Sequence, residues 1–113
     1  MEREAEIVIK VKLDEQSIPK EIEWIAPESG SDQPQKTNAF MISLWDHANK
    51  NTLGIDLWTD KMTVDEMNIY FFQTLFKMSQ TFENATKDVE SAKMIKEFAD
   101  KFAEHLNSKN QKG

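Results

Sequence analysis

Residues 57–82 read LWTDKMTVDEMNIYFFQTLFKMSQTF, and within this stretch the hydrophobic period changes. Leading into it, Leu53, Ile55 and Leu57 alternate with Gly54 and Asp56; beyond Thr63 apolar residues recur every three or four positions. That change marks the passage from strand to helix. The boundary carries its own signal in TVDE (63–66), a capping box. Thr63 can accept from the backbone at Glu66 while the Glu66 side chain reaches back. Asp65 and Glu66 also suit the positive end of the helix dipole. The spacing predicts a helix over 64–85, about 33 Å long at the usual rise.

This predicted helix has two apolar sides. At about 100° per residue, Val64, Met67, Phe71, Leu75, Met78, Phe82 and Ala85 fall within an arc of about 80°, which reads as a core stripe. Ile69, Phe72 and Phe76 form a second cluster roughly 140° away. Leaving those three in water would forgo on the order of 5 kcal/mol, comparable to the whole stability of a small domain. They must be covered, either by a second helix in an α-hairpin or by another protein chain.

Downstream, NATKD interrupts the pattern, with Thr86 or Asp88 as the next N-cap. A second helix over 88–107 then carries one stripe, Ala92, Ile95, Phe98, Ala99, Phe102 and Leu106. Glu90, Lys93, Glu97, Asp100, Lys101 and Glu104 make its solvated side. The final residues, 108–113, are expected to form a flexible tail.

Upstream, the period is two. EIVIKVKL (6–13) and EIEWIA (21–26) read as strands, the second with Ile22, Trp24 and Ala26 on one side. PESGSDQPQKTN (27–38) holds two of the three prolines and no large apolar residue, and reads as a long exposed loop. AFMISLWD (39–46) is nearly continuous in apolar residues, as in a strand covered on both faces. Pairing Phe40, Ile42 and Leu44 with Leu57, Ile55 and Leu53 keeps the aliphatics on one face, predicted to be core. The reverse face sets Met41, Ser43 and Trp45 opposite Trp58, Asp56 and Gly54.

The expected architecture is therefore α+β: an antiparallel sheet of about four strands, followed by two C-terminal helices packed on one face. At 113 residues, positions 1–107 are expected to form a single domain. The formal net charge of −6 repels phosphate backbones and anionic lipid, so nucleic acid is not an expected partner. With no cysteine, disulfides and thiolate chemistry are excluded, and a reducing compartment fits. No run of about 18 apolar residues occurs, so no insertion into a membrane is expected. The acidic, alternating start does not read as a signal peptide.

Chemistry-bearing constellations are missing. His47 sits in a polar turn and His105 in a last helical turn, neither with a histidine three or four residues away to make a metal pair. Asp46 beside His47 reads as turn chemistry, with no nucleophile to serve. Gly30, Gly54 and Gly113 are too scattered to cradle a phosphate. No catalytic residue, cofactor or metal is expected.

SLWD (43–46), IDLWT (55–59), VDEM (64–67), the F-QTL spacing (71–75) and the S-TFE-AT spacing (79–86) together resemble the gliding-motility GldC family of Bacteroidetes. The resemblance implies a small cytoplasmic accessory of the gliding machinery, with no catalytic residues or cofactor to carry over. It leaves the molecular act open. The residues favour a non-enzymatic interaction protein, self-associating or docking onto another gliding component. Ile69, Phe72 and Phe76, and the reverse sheet face with Met41, Trp45 and Trp58, are its candidate surfaces. The alternative is a chaperone or peptide-binding protein, since strands followed by two helices loosely resemble the export chaperone SecB.

Overall fold

Among the described residues the first half forms five strands, and every pairing among them is antiparallel. The computed structural model describes residues 2–111. The chain divides into two compact units, residues 1–62 and 63–113, each with its own internal packing. In the first unit, β1 (Val8–Leu13), β2 (Pro19–Ala26) and β3 (Ser31–Thr37) form one sheet in that order. β4 (Ala39–Asp46) and β5 (Asn51–Trp58) form a second, two-stranded sheet. The second unit holds α1 (Val64–Thr86) and α2 (Val89–Gln111).

The β1–β2 turn is built by Asp14, whose carboxylate accepts from the Gln16 and Ile18 backbone N–H at 2.8 and 3.0 Å. Pro19 opens β2, a position where its missing N–H breaks no interior ladder. Val11 faces Ile22 across the pair, and Ile22 is 0% exposed. Polar residues stabilise the other face of the same sheet. The Glu21 carboxylate takes Lys12 of β1 at 3.1 Å and Lys36 of β3 at 2.8 Å, and these two ammonium groups hold its pKa down to about 2.

Three sequence expectations change here. The stretch 27–38 is not a loop: Pro27–Ser29 make a single 3-10 turn, closed by Gly30 at φ 91°, and β3 follows. A strand with no large apolar residue escapes period-two reading because its pairing to β2 runs through the backbone, and Pro34 is tolerated on an edge. The sheet expected to have about four strands is thus five strands in two sheets. The predicted pairing of Phe40, Ile42 and Leu44 with Leu57, Ile55 and Leu53 is the one observed. On the reverse face, however, Met41 opposes Asp56, Ser43 opposes Gly54, Trp45 opposes Thr52, and Trp58 lies across from Ala39.

The third change concerns cover. β4 was expected to be enclosed on both faces, yet Leu44, Leu53 and Ile55 on one face are half exposed and Trp45 on the other is 65% exposed. A continuous apolar run reports that a strand avoids water; it does not say that the same chain supplies the cover.

α1 starts as predicted. Thr63 Oγ1 accepts from the Glu66 N–H at 3.1 Å, and Glu66 Oε1 accepts from the Thr63 N–H at 3.2 Å. Lys87, in the left-handed region at φ 63°, ends the helix by donating its N–H to the Glu83 carbonyl. Asp88 then caps α2, its carboxylate accepting from the Ser91 N–H and hydroxyl. With only Lys87 and Asp88 between them the helices turn back on each other. Ala92 and Ala99 are buried at their contact, and the Ser79 hydroxyl donates across it to the Ala92 carbonyl at 2.7 Å. α2 continues to Gln111; the last two residues of the expected tail lie outside the described residues.

Candidate interaction surfaces

Small residues decide which side of α1 meets α2. Ser79 shares its side with Phe72 and Phe76, and opposite it stand Ala92, Ala99 and Ala103, so the helices close on the Phe72–Phe76 cluster. Ile69 and Phe72 line a groove of about 460 Å³ with Ala103 and Leu106 of α2. Phe72 and Phe76 are half buried, and the Lys96 ammonium lies 5.8 Å from the centre of the Phe76 ring. Ile69 remains exposed at the groove. Of the two occupants considered for this cluster, α2 is the one that stands against it.

Much of the stripe read as core is left bare, although Met67 and Leu75 within it are half buried. Val64, Phe71, Met78 and Phe82 of α1 are exposed, as are Met94 and Phe98 of α2. In an antiparallel pair the two helices' rotations run in opposite senses, so these residues fall on the same broad side of the hairpin. Phe98 stacks on Phe102 at 6.3 Å between ring centres, extending that side along α2. Lys77, Gln73 and Asn84 of α1, with Lys93, Glu97 and Asp100 of α2, occupy the opposite side.

In the first unit, Met41, Trp45 and Trp58 do share one face of β4–β5, but they are spread along it. Trp45 opposes Thr52, six residues from Trp58, which separates the two indoles' positions by about 20 Å. Trp58 lines a shallow pocket of about 370 Å³ with Ile18, Pro19, Asp56, Leu57, Thr59 and Asp60. The end of β5 is pinned beside it. Thr59, fully buried, donates its N–H to the Asn38 carbonyl at 2.9 Å, and the Lys20 ammonium meets Asp60 at 2.7 Å. That contact holds the Asp60 carboxyl below its ordinary pKa.

The other face of β4–β5 is apolar from Phe40, Ile42 and Leu44 across to Leu53, Ile55 and Leu57, ends in Asp46 and Asn51, and was not among the predicted surfaces. The signal for it was available: both faces of one hairpin carry large apolar side chains, and a single neighbouring layer can cover only one of them.

Asp46 is engaged by its own turn, accepting from the Ala48 N–H and the Asn49 amide, and these bonds hold its pKa down. Among the described residues no group of three or more His, Cys, Asp or Glu side chains is placed to hold a metal. No helix among them is long and apolar enough to cross a membrane.

Comparison with curated proteins and with solved structures gives no match. The model of one protein family, described as gliding motility-associated protein GldC-like, matches residues 19–108, from the first residue of β2 nearly to the end of α2. By that match over most of its length, the chain belongs to the GldC-like family of gliding-motility-associated proteins.

Proposed function

We propose that this protein is a non-enzymatic accessory of the gliding machinery that works in the cytoplasm by binding protein, as a self-associating subunit or docked on another gliding component. One observation carries the reading: apolar side chains stand exposed on both faces of β4–β5 and along one side of the α1–α2 hairpin. Large apolar side chains left exposed side by side mark binding surface in a soluble domain. The family supplies the process and the exposed faces supply the mode.

Replacing Trp45 and Trp58 with Ser tests it, because both indoles are more than half exposed. The expected result is loss of association, read as solution mass and as retention of gliding components, with the circular dichroism of the folded chain unchanged. Unaltered mass and unaltered retention would remove that face from the account. Ser at Phe72 and Phe76 is expected instead to loosen the hairpin, since both lie against α2. The chaperone reading draws on the same exposed faces and makes a separate demand, protection of unfolded client proteins from aggregation.

A further inference from the structure

The three-stranded sheet guards its edges. β1 carries Lys10 and Lys12, and its ladder slips between Lys12 and Leu13. β3 carries Lys36 and Pro34, which has no N–H, and the β2–β3 ladder slips between Trp24 and Ala26. Lysines, proline and bulges are the devices that keep a sheet edge from pairing with another strand.

β4 has none of them. Its ladder with β5 is unbroken from Ala39 to Asp46, and residues 39–45 include no charge, no proline and no glycine. Two hydrogen bonds fix which residues face outward. The Thr59 N–H donates to the Asn38 carbonyl at 2.9 Å and the Lys50 N–H to the Asp46 carbonyl at 2.8 Å. Antiparallel ladders alternate, so even-numbered residues of β4 turn their backbone groups toward β5 and odd-numbered ones turn them away. Among the outward set, the Ala39 carbonyl accepts from the Thr37 hydroxyl at 3.0 Å. Met41, Ser43 and Trp45 present their amides and carbonyls to no strand among the described residues. The outer edge of β5 carries Gly54, a poor strand former, and Asp56, whose charge guards an edge.

We propose that a second copy of this chain pairs with β4 along this edge, antiparallel and about a two-fold axis at Ile42, forming a continuous β5–β4–β4–β5 sheet. Ile42 is the midpoint of the uncharged run. Around it Ile42 faces its own copy, Phe40 faces Leu44, Met41 faces Ser43 and Ala39 faces Trp45, with no charge inside the pairing. A two-stranded ribbon is marginal alone, and the four-stranded sheet is not. The interface is isologous and therefore closes at two copies. This inference deepens the self-association reading above and rests on it.

The absence of cysteine makes the test direct. In an antiparallel pair the two Ile42 residues are a non-hydrogen-bonded pair, with Cα atoms about 4.5 Å apart, within disulfide range. Ile42→Cys is expected to oxidise to a covalent dimer in the native state, while Lys10→Cys on the guarded edge does not. Ser43→Pro removes one outward N–H without touching the ladder to β5. It is expected to halve the sedimentation mass from twice 13.1 kDa to 13.1 kDa with unchanged circular dichroism, whereas Ser43→Thr keeps the dimer. Cross-linking of Ile42→Cys no faster than of Lys10→Cys, or a dimer that survives Ser43→Pro, overturns the edge and leaves self-association through a face. A parent chain of 13.1 kDa at every concentration overturns both, and leaves docking on a different protein to the Trp45 and Trp58 test.

Discussion

Ala99→Leu probes how closely α1 and α2 approach. Ala99 is 0% exposed and Ala92, two turns earlier on the same side, is buried beside it. The 2.7 Å bond from the Ser79 hydroxyl to the Ala92 carbonyl shows that a side chain of one helix touches the backbone of the other. There is no room at this contact for the three carbons that leucine adds. Forcing methylene groups into such a contact costs about 1–3 kcal/mol. At about 4–8 °C per kcal/mol for a chain near this size, the midpoint should fall by roughly 5–20 °C. Thermal and urea unfolding followed by the helical circular dichroism signal would measure it. Met94→Leu is the control, since Met94 is 70% exposed and a change there should stay within about 0.5 kcal/mol. If Ala99→Leu melts at the parental temperature or above it, a gap exists where the structure places contact and the hairpin packing is wrong.

Two further outcomes follow from the same geometry. Thr63→Ala removes the acceptor that Glu66 N–H uses and should cost about 1 kcal/mol in urea unfolding, with Thr63→Ser restoring most of it. Glu21, held at about pKa 2 by Lys36 and Lys12 against an ordinary value of 4.5, binds its proton more readily unfolded than folded. Its contribution to stability is therefore complete above pH 4.5 and is lost as pH falls toward 2. Glu21→Gln should flatten that part of the stability–pH profile, and a profile that keeps its slope would count against the three-strand charge ladder.

Local signals were readable from the residues, and non-local ones were not. The capping box lies within four residues and declares the start of α1 by itself. The β4–β5 register follows from period two, because a slip by one would put aliphatics on opposite faces. β3 escaped because its residues 31–37 are polar and its pairing depends on β2 being beside it. The two sides of α1 were both visible in the helical period: the Phe72–Phe76 side meets α2, one of the two covers expected for it, while much of the stripe read as core stays exposed. Counting large side chains favoured the longer stripe as core, while the contact formed where Ser79 meets Ala92 and Ala99, small residues that carry little weight in a hydrophobic pattern. Of the candidate residues, Phe72 and Phe76 are brought against α2, while Trp45 and Trp58 remain exposed.

Amide hydrogen exchange on the unmodified protein, resolved by residue and measured over a range of concentrations, asks most directly whether the bare edge of β4 finds a partner strand. The account predicts that the Met41, Ser43 and Trp45 amides gain protection as concentration rises, while those of Thr52, Gly54, Asp56 and Trp58 on the outer edge of β5 do not. Equal and rapid exchange along both edges at every concentration would contradict it.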